Sequence, residues 1–499
     1  VVVLGLLLGA GAWSAESLGT ISGIVLSAVS GAPLASSTVV LSQADGAPLR
    51  TVTADRRGRY VFDGLAAGQY AVKASRPGFA TGRYGQQAWN HTGRPIELGA
   101  GAGFTADVRL HRLGVVTGAV VDENGEGAPG LTVNAVTVSP AGASGRTSSA
   151  GITDDRGVFR IPGLRPGRYR VRTAPRQLED GTGLLPSYSP GTLDQQEARV
   201  VTVEVDRETT GISIQVLAGK LARLTGFVPA AARHKDAQVT VTLFRDEDSR
   251  QVAAGPGGQF GFSEVVPGRY TLVVQLRSSE ASLAAYQPLD LSGDLEGLYV
   301  NLSAAPEVQV RLLDEKGVPV TDPQFVIFLG RIENAARTTP LRVEGTVAAN
   351  LMPGRWRFYL ILPETHVVES IRVGDEEALE GFVLLPGRKA TAAIRVARRA
   401  GRVQGRVTDA SGRPARGLPV VCYPLAADNR LRLGGFRTAR TSLTGDYRFG
   451  GLPEGEYLVF ASPIEDFQPD EHLEALRERL RPQRVTASKE SPLDLRVLE

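Results

Sequence analysis

The pattern that best predicts the fold of this chain is Gly157-Val-Phe159-Arg-Ile161-Pro-Gly-Leu164-Arg-Pro166-Gly167-Arg-Tyr169. An alternating apolar strand is followed by a Pro-Gly turn, and the turn leads into an aromatic residue. Successive copies place this aromatic residue 99, 101, 86 and 101 positions apart. A repeat of that length has the size of one small domain, so the 499 residues are predicted to form five copies of one module. The five aromatic residues are Tyr70, Tyr169, Tyr270, Trp356 and Tyr457.

Each module is predicted to be an all-β sandwich, because its apolar residues alternate with polar ones between turn signals. A glycine before the strand, as at Gly58 and Gly157, indicates a turn with positive φ. The aromatic residue after the Pro-Gly turn is expected to bury its ring and to direct its polar atom to a nearby backbone group. Most modules open with a strand that carries glycine beside β-branched residues, but the fourth copy, from Val308 to Leu312, lacks this glycine.

The fold class predicted for the whole chain is five tandem Ig-like or prealbumin-like β-sandwich modules in an extended array. A short surface helix is expected between Asp470 and Leu480 in the fifth module, because three leucines lie on one face and Pro482 follows. The predicted boundaries are a signal peptide at 1–15 and modules at 18–112, 113–218, 219–305, 306–400 and 401–499.

The N-terminal residues are typical of an export signal. About ten apolar residues are followed by small residues before Ala15, which suits the hydrophobic and cleavage regions of a signal peptide. An uncleaved membrane anchor and a buried strand of the first module are the alternatives. No later stretch reaches the ~18 apolar residues that a membrane helix needs. We therefore predict a secreted, periplasmic or cell-surface bacterial protein without a further transmembrane helix.

Charge and cysteine content exclude several classes of function. Lys and Arg number 56 and Asp and Glu 53, interspersed to a net charge of +3, so no nucleic acid partner is predicted. The single cysteine, Cys422, excludes a disulfide within the chain, and its apolar neighbours indicate a buried, unreactive thiol.

No catalytic residue, metal site or cofactor is predicted. His366 and Glu369 have the His-x-x-Glu spacing of zinc carboxypeptidases, and His472 follows at a tolerable distance for a third ligand. These residues fall in a predicted strand and a predicted surface helix, however, and the large α/β domain of such a peptidase is missing. The best candidates for ligand binding are Tyr84 and Trp89, which lie in a Gly-rich loop beside amide side chains. Such rings can stack on sugars, although they can also cover the edge of a sandwich.

The recurring pattern Asp-x-x-Gly-x-Phe/Tyr followed by Leu-x-Pro-Gly-x-Tyr resembles that of the carboxypeptidase regulatory-like domain. The resemblance is clearest in the second and fifth modules, around Gly157 and Gly445, and weakest in the third and fourth. It implies a prealbumin-like (transthyretin-like) sandwich, grouped with carbohydrate-binding-like folds, and tandem arrays of exported bacterial proteins. The domain in that family carries no catalytic residues, so the resemblance implies none here.

These observations predict a non-enzymatic array that acts as a cell-surface or periplasmic spacer, adhesion or binding protein. The alternatives are a carbohydrate-binding accessory protein and a regulatory partner of a peptidase. Polysaccharide or another surface protein is the expected partner.

An extended array predicts a large radius of gyration in solution. A compact chain of this length would have a radius of gyration of roughly 23 Å, and five modules joined by short linkers should exceed it clearly. Small-angle X-ray scattering measures this quantity directly. A value near that of a compact chain would contradict the extended array.

Overall fold

The computed structural model confirms the all-β prediction. It describes residues 17–43, 48–138, 147–179, 183–234, 236–245, 248–332, 341–342, 347–465, 467, 473, 482–486 and 489–497. The predicted signal peptide at 1–15 and, apart from Leu473, the predicted helix between Asp470 and Leu480 lie outside these residues. The chain forms two compact units, Val1–Leu113 and Gly114–Glu499.

The first unit is a sandwich of two sheets. In one sheet the opening strand lies between an antiparallel neighbour and two short closing strands that run parallel to it. In order, these strands are Arg59–Leu65, Gly19–Ser27, and Gly103–Thr105 with Val108–Leu110. The second sheet has the order Pro48–Thr53, Thr38–Gln43, Gly68–Ser75, with Gly82–Arg83 and Ile96–Leu98 both pairing with the third strand.

The second unit repeats this arrangement, so the described residues contain five tandem sandwiches. Its first sheets again place the opening strand beside a parallel closing strand. In sheet order they are Val158–Leu164, Gly114–Val121, Glu208–Gln215; Gln259–Val265, Ala222–Phe227, Leu295–Tyr299; Val347–Ala348, Glu307–Leu313, Lys389–Ala397, Val367–Val373, Glu376–Glu377; and Asp446–Leu452, Gly401–Thr408, with Glu490–Pro492 and Leu495–Arg496.

The second sheets of these sandwiches are antiparallel. In sheet order they are Thr147–Ile152, Thr132–Thr137, Gly167–Thr173, Val200–Val203; Asp248–Ala253, Gln238–Arg245, Gly268–Arg277, Ser282–Leu291, Ser303–Ala304; Leu341–Arg342, Val326–Arg331, Gly354–Ile361, Phe382–Leu384; and Arg437–Arg440, Pro419–Pro424, Gly455–Ala461, Pro482–Val485. A small sheet of Arg176–Gln177, Gly183–Leu185 and Leu217–Gly219, a 3-10 helix at Pro229–Arg233 and an α-helix at Ala427–Leu433 complete the described elements.

Every sandwich has its own apolar core. Burial alternates along the strands, as in Gly19–Ser27, because successive side chains point to opposite faces of a sheet. The buried residues fall into separate clusters, one main cluster to each sandwich, rather than one continuous core. Each module therefore gains its own stabilisation from apolar burial. One residue central to each main cluster is, in chain order, Phe62, Phe159, Phe262, Phe358 and Tyr457.

The glycine in the opening strand is required by a close backbone approach. A Cβ atom at Gly118 would overlap the carbonyl oxygen of Ile212 on the closing strand, and Gly405 meets Leu493 in the same way. The parallel pairing shifts register at the first of these points and divides into two short strands at the second. The fourth module lacks the glycine, and there Glu307–Leu313 pairs with its closing strand without interruption. The glycine thus marks the point where the closing strand departs from regular parallel pairing with the opening strand.

The glycine that precedes the antiparallel neighbour of the opening strand has the positive φ that the sequence predicts. The values at Gly58, Gly157 and Gly445 lie between 71° and 79°. A carboxylate stabilises this turn in the second module, where Asp154 Oδ1 accepts hydrogen bonds from the backbone N–H groups of Arg156 and Val158. The bond from Val158 is the largest cause of the lowered pKa of Asp154. The turn therefore holds the carboxylate in its ionised form.

The aromatic residue after each Pro-Gly-type turn makes the same hydrogen bond in all five modules. Its polar atom donates to the backbone carbonyl four residues earlier, which confirms the expected tyrosine-corner geometry. The fourth module uses an indole N–H in place of a hydroxyl, with the same acceptor position. The bonds run from Tyr70 to Ala66 (2.8 Å), Tyr169 to Arg165 (2.8 Å), Tyr270 to Val266 (2.5 Å), Trp356 to Met352 (2.9 Å) and Tyr457 to Pro453 (2.7 Å).

Replacing Tyr457 by Phe should destabilise the fifth module. Tyr457 is fully buried, so the substitution leaves the Pro453 carbonyl without its donor at a cost of about 1–3 kcal/mol. Hydrogen exchange of the strand Gly455–Ala461 measures the effect as a lower free energy of opening. Tyr299→Phe is the control, because that ring is 69% exposed. Equal effects of the two substitutions would contradict a structural role for the buried bond.

Candidate functional site

The loop from Gly78 to Gly93 contains the predicted ligand-binding residues and is tied to the edge of the second sheet of the first module. The short strand Gly82–Arg83 pairs with Gly68–Ser75. The Tyr84 N–H donates to the Val72 carbonyl at 2.9 Å, and the Tyr84 carbonyl accepts from the Arg94 N–H at 2.8 Å. These backbone bonds hold the loop against the sandwich.

Tyr84 contributes to the sandwich as well as to the loop surface. Its ring is partly buried against the core of the first module. It lies edge-on to Phe104, with 5.5 Å between ring centroids and planes at 86°. Packing of this kind covers the sheet edge, which is the structural alternative considered for this residue. This packing also restrains the orientation of the Tyr84 ring.

Trp89 lies in the turn that follows and is intermediate in exposure. The turn is closed by a 3.0 Å hydrogen bond from the His91 N–H to the Ala88 carbonyl. Nearby, the Gln86 amide oxygen accepts a 2.8 Å hydrogen bond from the Arg83 N–H. The structure therefore places Tyr84 and Trp89 on one ordered loop with polar groups beside them. Ligand binding by these two residues stays a prediction.

His366 and Glu369 are engaged in contacts within the protein. The His366 ring packs edge-on against Phe325 at 5.0 Å, and its Nδ1 lies 3.0 Å from the Thr365 hydroxyl. Burial is the main cause of the lowered pKa of His366, and nearby Arg398 adds to it. Glu369 pairs with Arg399. His472 lies outside the described residues. Within the described ranges, no group of three His, Cys, Asp or Glu side chains could hold a metal ion.

Cys422 occupies the core position that the sequence predicts. It is fully buried in Pro419–Pro424 between the two sheets of the fifth module. Burial raises the pKa of its thiol to about 12, so the thiolate that reacts or binds metal is disfavoured at neutral pH.

The α-helix Ala427–Leu433 is a feature that the sequence analysis missed. It ends at Gly434, whose φ of 67° closes a left-handed cap, and Arg430 and Arg432 lie in its last turn. Basic residues followed by glycine are a known signal for a helix end. Seven residues are too few for an apolar period to be recognised. Of the described residues, none belongs to a helix long and apolar enough to cross a membrane.

Solved structures that are similar to parts of this chain include two bacterial pilins and a pilus adhesin. A minor pilin of Streptococcus agalactiae is 15% identical over 40% of this chain and 95% of its own, with a TM-score of 0.24. The major pilin subunit of Bacillus cereus is 9% identical over 58% and 100%, with a TM-score of 0.19. A pilus adhesin of Lactobacillus rhamnosus is 12% identical over 67% and 49%, with a TM-score of 0.17. TM-scores this low support no conclusion about function.

The family comparison agrees with the resemblance carried by the repeated pattern. No curated protein matches the chain. Residues 20–111, which contain the first sandwich and the Tyr84–Trp89 loop, match the carboxypeptidase regulatory-like domain family.

Proposed function

We propose that this chain is a non-catalytic, exported bacterial protein whose five sandwiches serve as a spacer or adhesion array at the cell surface or in the periplasm. The observation that carries this proposal is the parallel pairing of the opening and closing strands in every module. Two parallel strands begin at the same end of a sheet. The chain therefore enters each module at one end and leaves it at the other.

This topology suits a protein that bears load. A pull on the two ends of a module acts along the paired strands, so their hydrogen bonds must break together rather than one after another. In the second module the pairing runs from Val115 opposite Glu208 to Val121 opposite Gln215. The separate apolar cores also suit a load-bearing protein, because one module can open and refold while its neighbours stay folded.

Single-molecule pulling of the whole chain tests the load-bearing role. We expect separate unfolding events, each releasing on the order of 30 nm of chain for a module of about 100 residues. Gly118→Ala should lower the force of one unfolding event, because the added Cβ overlaps the Ile212 carbonyl. A Cβ added at Gly261 makes only ordinary van der Waals contacts. Gly261→Ala is therefore the control. Extension without force peaks would refute the role.

A second candidate function is carbohydrate binding by the loop that carries Tyr84 and Trp89. It is favoured by the partial exposure of both rings on a loop held by backbone hydrogen bonds. Aromatic rings bind the apolar faces of sugars by stacking, and the nearby Gln87 and Asn90 could bind hydroxyl groups. Polysaccharide is then the partner.

Retention on insoluble polysaccharides separates binding from a pure spacer role. If the loop binds sugar, Trp89→Ala should reduce retention at least tenfold, since aromatic stacking contributes much of the contact area. Tyr299→Ala removes an exposed ring in the third module and should leave retention unchanged. Absence of retention on every glycan, or equal loss in both variants, would exclude this loop as the binding site.

A further inference from the structure

The fourth and fifth modules meet at a cleft built from both. The helix Ala427–Leu433 of the fifth module packs on the fourth, where Leu431 contacts its core. Arg432 donates hydrogen bonds to the carbonyls of Val368 (2.7 Å) and Glu369. The Gly451 N–H donates to the Glu364 carbonyl at 2.7 Å. These bonds fix the two modules around a cleft of about 260 Å³.

Arg437 lines this cleft without a partner. It begins the strand Arg437–Arg440 and is paired through its backbone with Cys422. Ala439, two residues on, contacts the core, so Arg437 lies on the same inner face of the sheet. Its side chain is only partly exposed. Throughout the part of the chain that the structure describes, no hydrogen bond or ion pair engages its guanidinium.

The other charged groups of the cleft are already paired. Arg432 is bonded to carbonyls of the fourth module. Arg448 lies 3.1 Å from the Glu364 carboxylate, so that acid is not available to Arg437. A partly buried cation without a partner loses hydration and gains nothing in return. Burial accordingly lowers the pKa of Arg437. An anion in the cleft would offset this cost.

Both polar and apolar groups line the cleft. Its apolar side chains come from both modules. Leu362 and Val367 contribute from the fourth module, and Leu433 and Phe449 from the fifth. The volume suits a ligand of a few heavy atoms or the terminal group of a longer one. A cation beside these apolar side chains matches a molecule with one carboxylate and a short hydrocarbon group.

We propose that the cleft between the fourth and fifth modules binds an aliphatic carboxylate, with the Arg437 guanidinium donating hydrogen bonds to the carboxylate oxygens. Guanidinium and carboxylate match as a two-bond planar pair. The carboxylate can belong to a free short-chain acid or to the C-terminal residue of a peptide. The site is independent of the loop at Tyr84 and of the spacer role.

Calorimetric titration of the whole chain tests the site. The probes are isovalerate and its neutral amide, isovaleramide, at constant ionic strength. We expect saturable binding of the acid alone, with Arg437→Met weakening it at least tenfold. Arg311→Gln removes the same charge from an exposed position of the fourth module and should bind normally. No binding, equal binding of the amide, or unchanged binding by Arg437→Met would overturn the proposal.

Two further probes distinguish the sources of the carboxylate. N-acetyl-leucine represents a peptide C-terminus, and N-acetyl-leucinamide is its neutral counterpart. Tighter binding of N-acetyl-leucine than of isovalerate would support a peptide end, and the reverse would support a free acid. Failure of all four probes to bind would refute the site.

Thermal unfolding shows whether Arg437→Met is folded. Removal of an unpaired, partly buried cation should leave thermal stability equal to or above that of the original chain. Hydrogen exchange of the unaltered protein should also show protection at 360–368 and 432–453 in saturating isovalerate. Arg437→Lys keeps the charge but loses the planar pair, so it should bind with intermediate affinity. Absence of protection in the unaltered protein would refute the site without any variant.

Discussion

The approach of the closing strand to the opening strand is the constraint on which each module depends. At Gly23 and Gly405 a carbonyl of the closing segment turns toward the opening strand, where any Cβ would overlap it. The same carbonyls, of Ala106 and Leu493, accept hydrogen bonds from Tyr60 and Tyr447. Burial raises the pKa of both phenols, so the hydroxyls stay protonated as donors. Glycine and tyrosine thus act together: one provides the space, and the other satisfies the carbonyl that enters it.

This constraint links the sequence to the proposed mechanical role. Because the closing strand is parallel to the opening strand, it must return to the start of the module before it pairs. The second sheet and its turns provide that return, and the aromatic hydrogen bond closes one of those turns. A module without the glycine can still fold, as the fourth shows with its uninterrupted parallel pair. In that module the closing strand also pairs with Val367–Val373. The module without the glycine therefore has a wider first sheet, and no carbonyl of its closing strand turns out of the parallel pairing.

A structural feature could be predicted from the sequence when the residues that form it are close together in the chain. The turn at Gly157 and the bond from Tyr169 to Arg165 involve residues within a few positions of one another, and the sequence predicts both. The helix Ala427–Leu433 is too short to show a period, and its N-cap, Ala426, makes no side-chain cap bond. Arg437 gives no signal at all, because its unpaired state depends on where Glu364 and Arg448 lie after folding. Whether a charged side chain at a junction between modules finds a partner depends on the tertiary structure, so the sequence does not reveal it.

A charged group without a partner is tolerated more readily at the junction of the fourth and fifth modules than in the core of either one. Within a sandwich the interior is filled by apolar side chains, and a buried polar atom there needs a partner, as Tyr457 has in the Pro453 carbonyl. At the junction of the fourth and fifth modules, core side chains such as Leu433 and Phe449 lie beside polar side chains that line the cleft. The guanidinium of Arg437 can remain there at moderate cost, because it is only partly buried and lines the cleft.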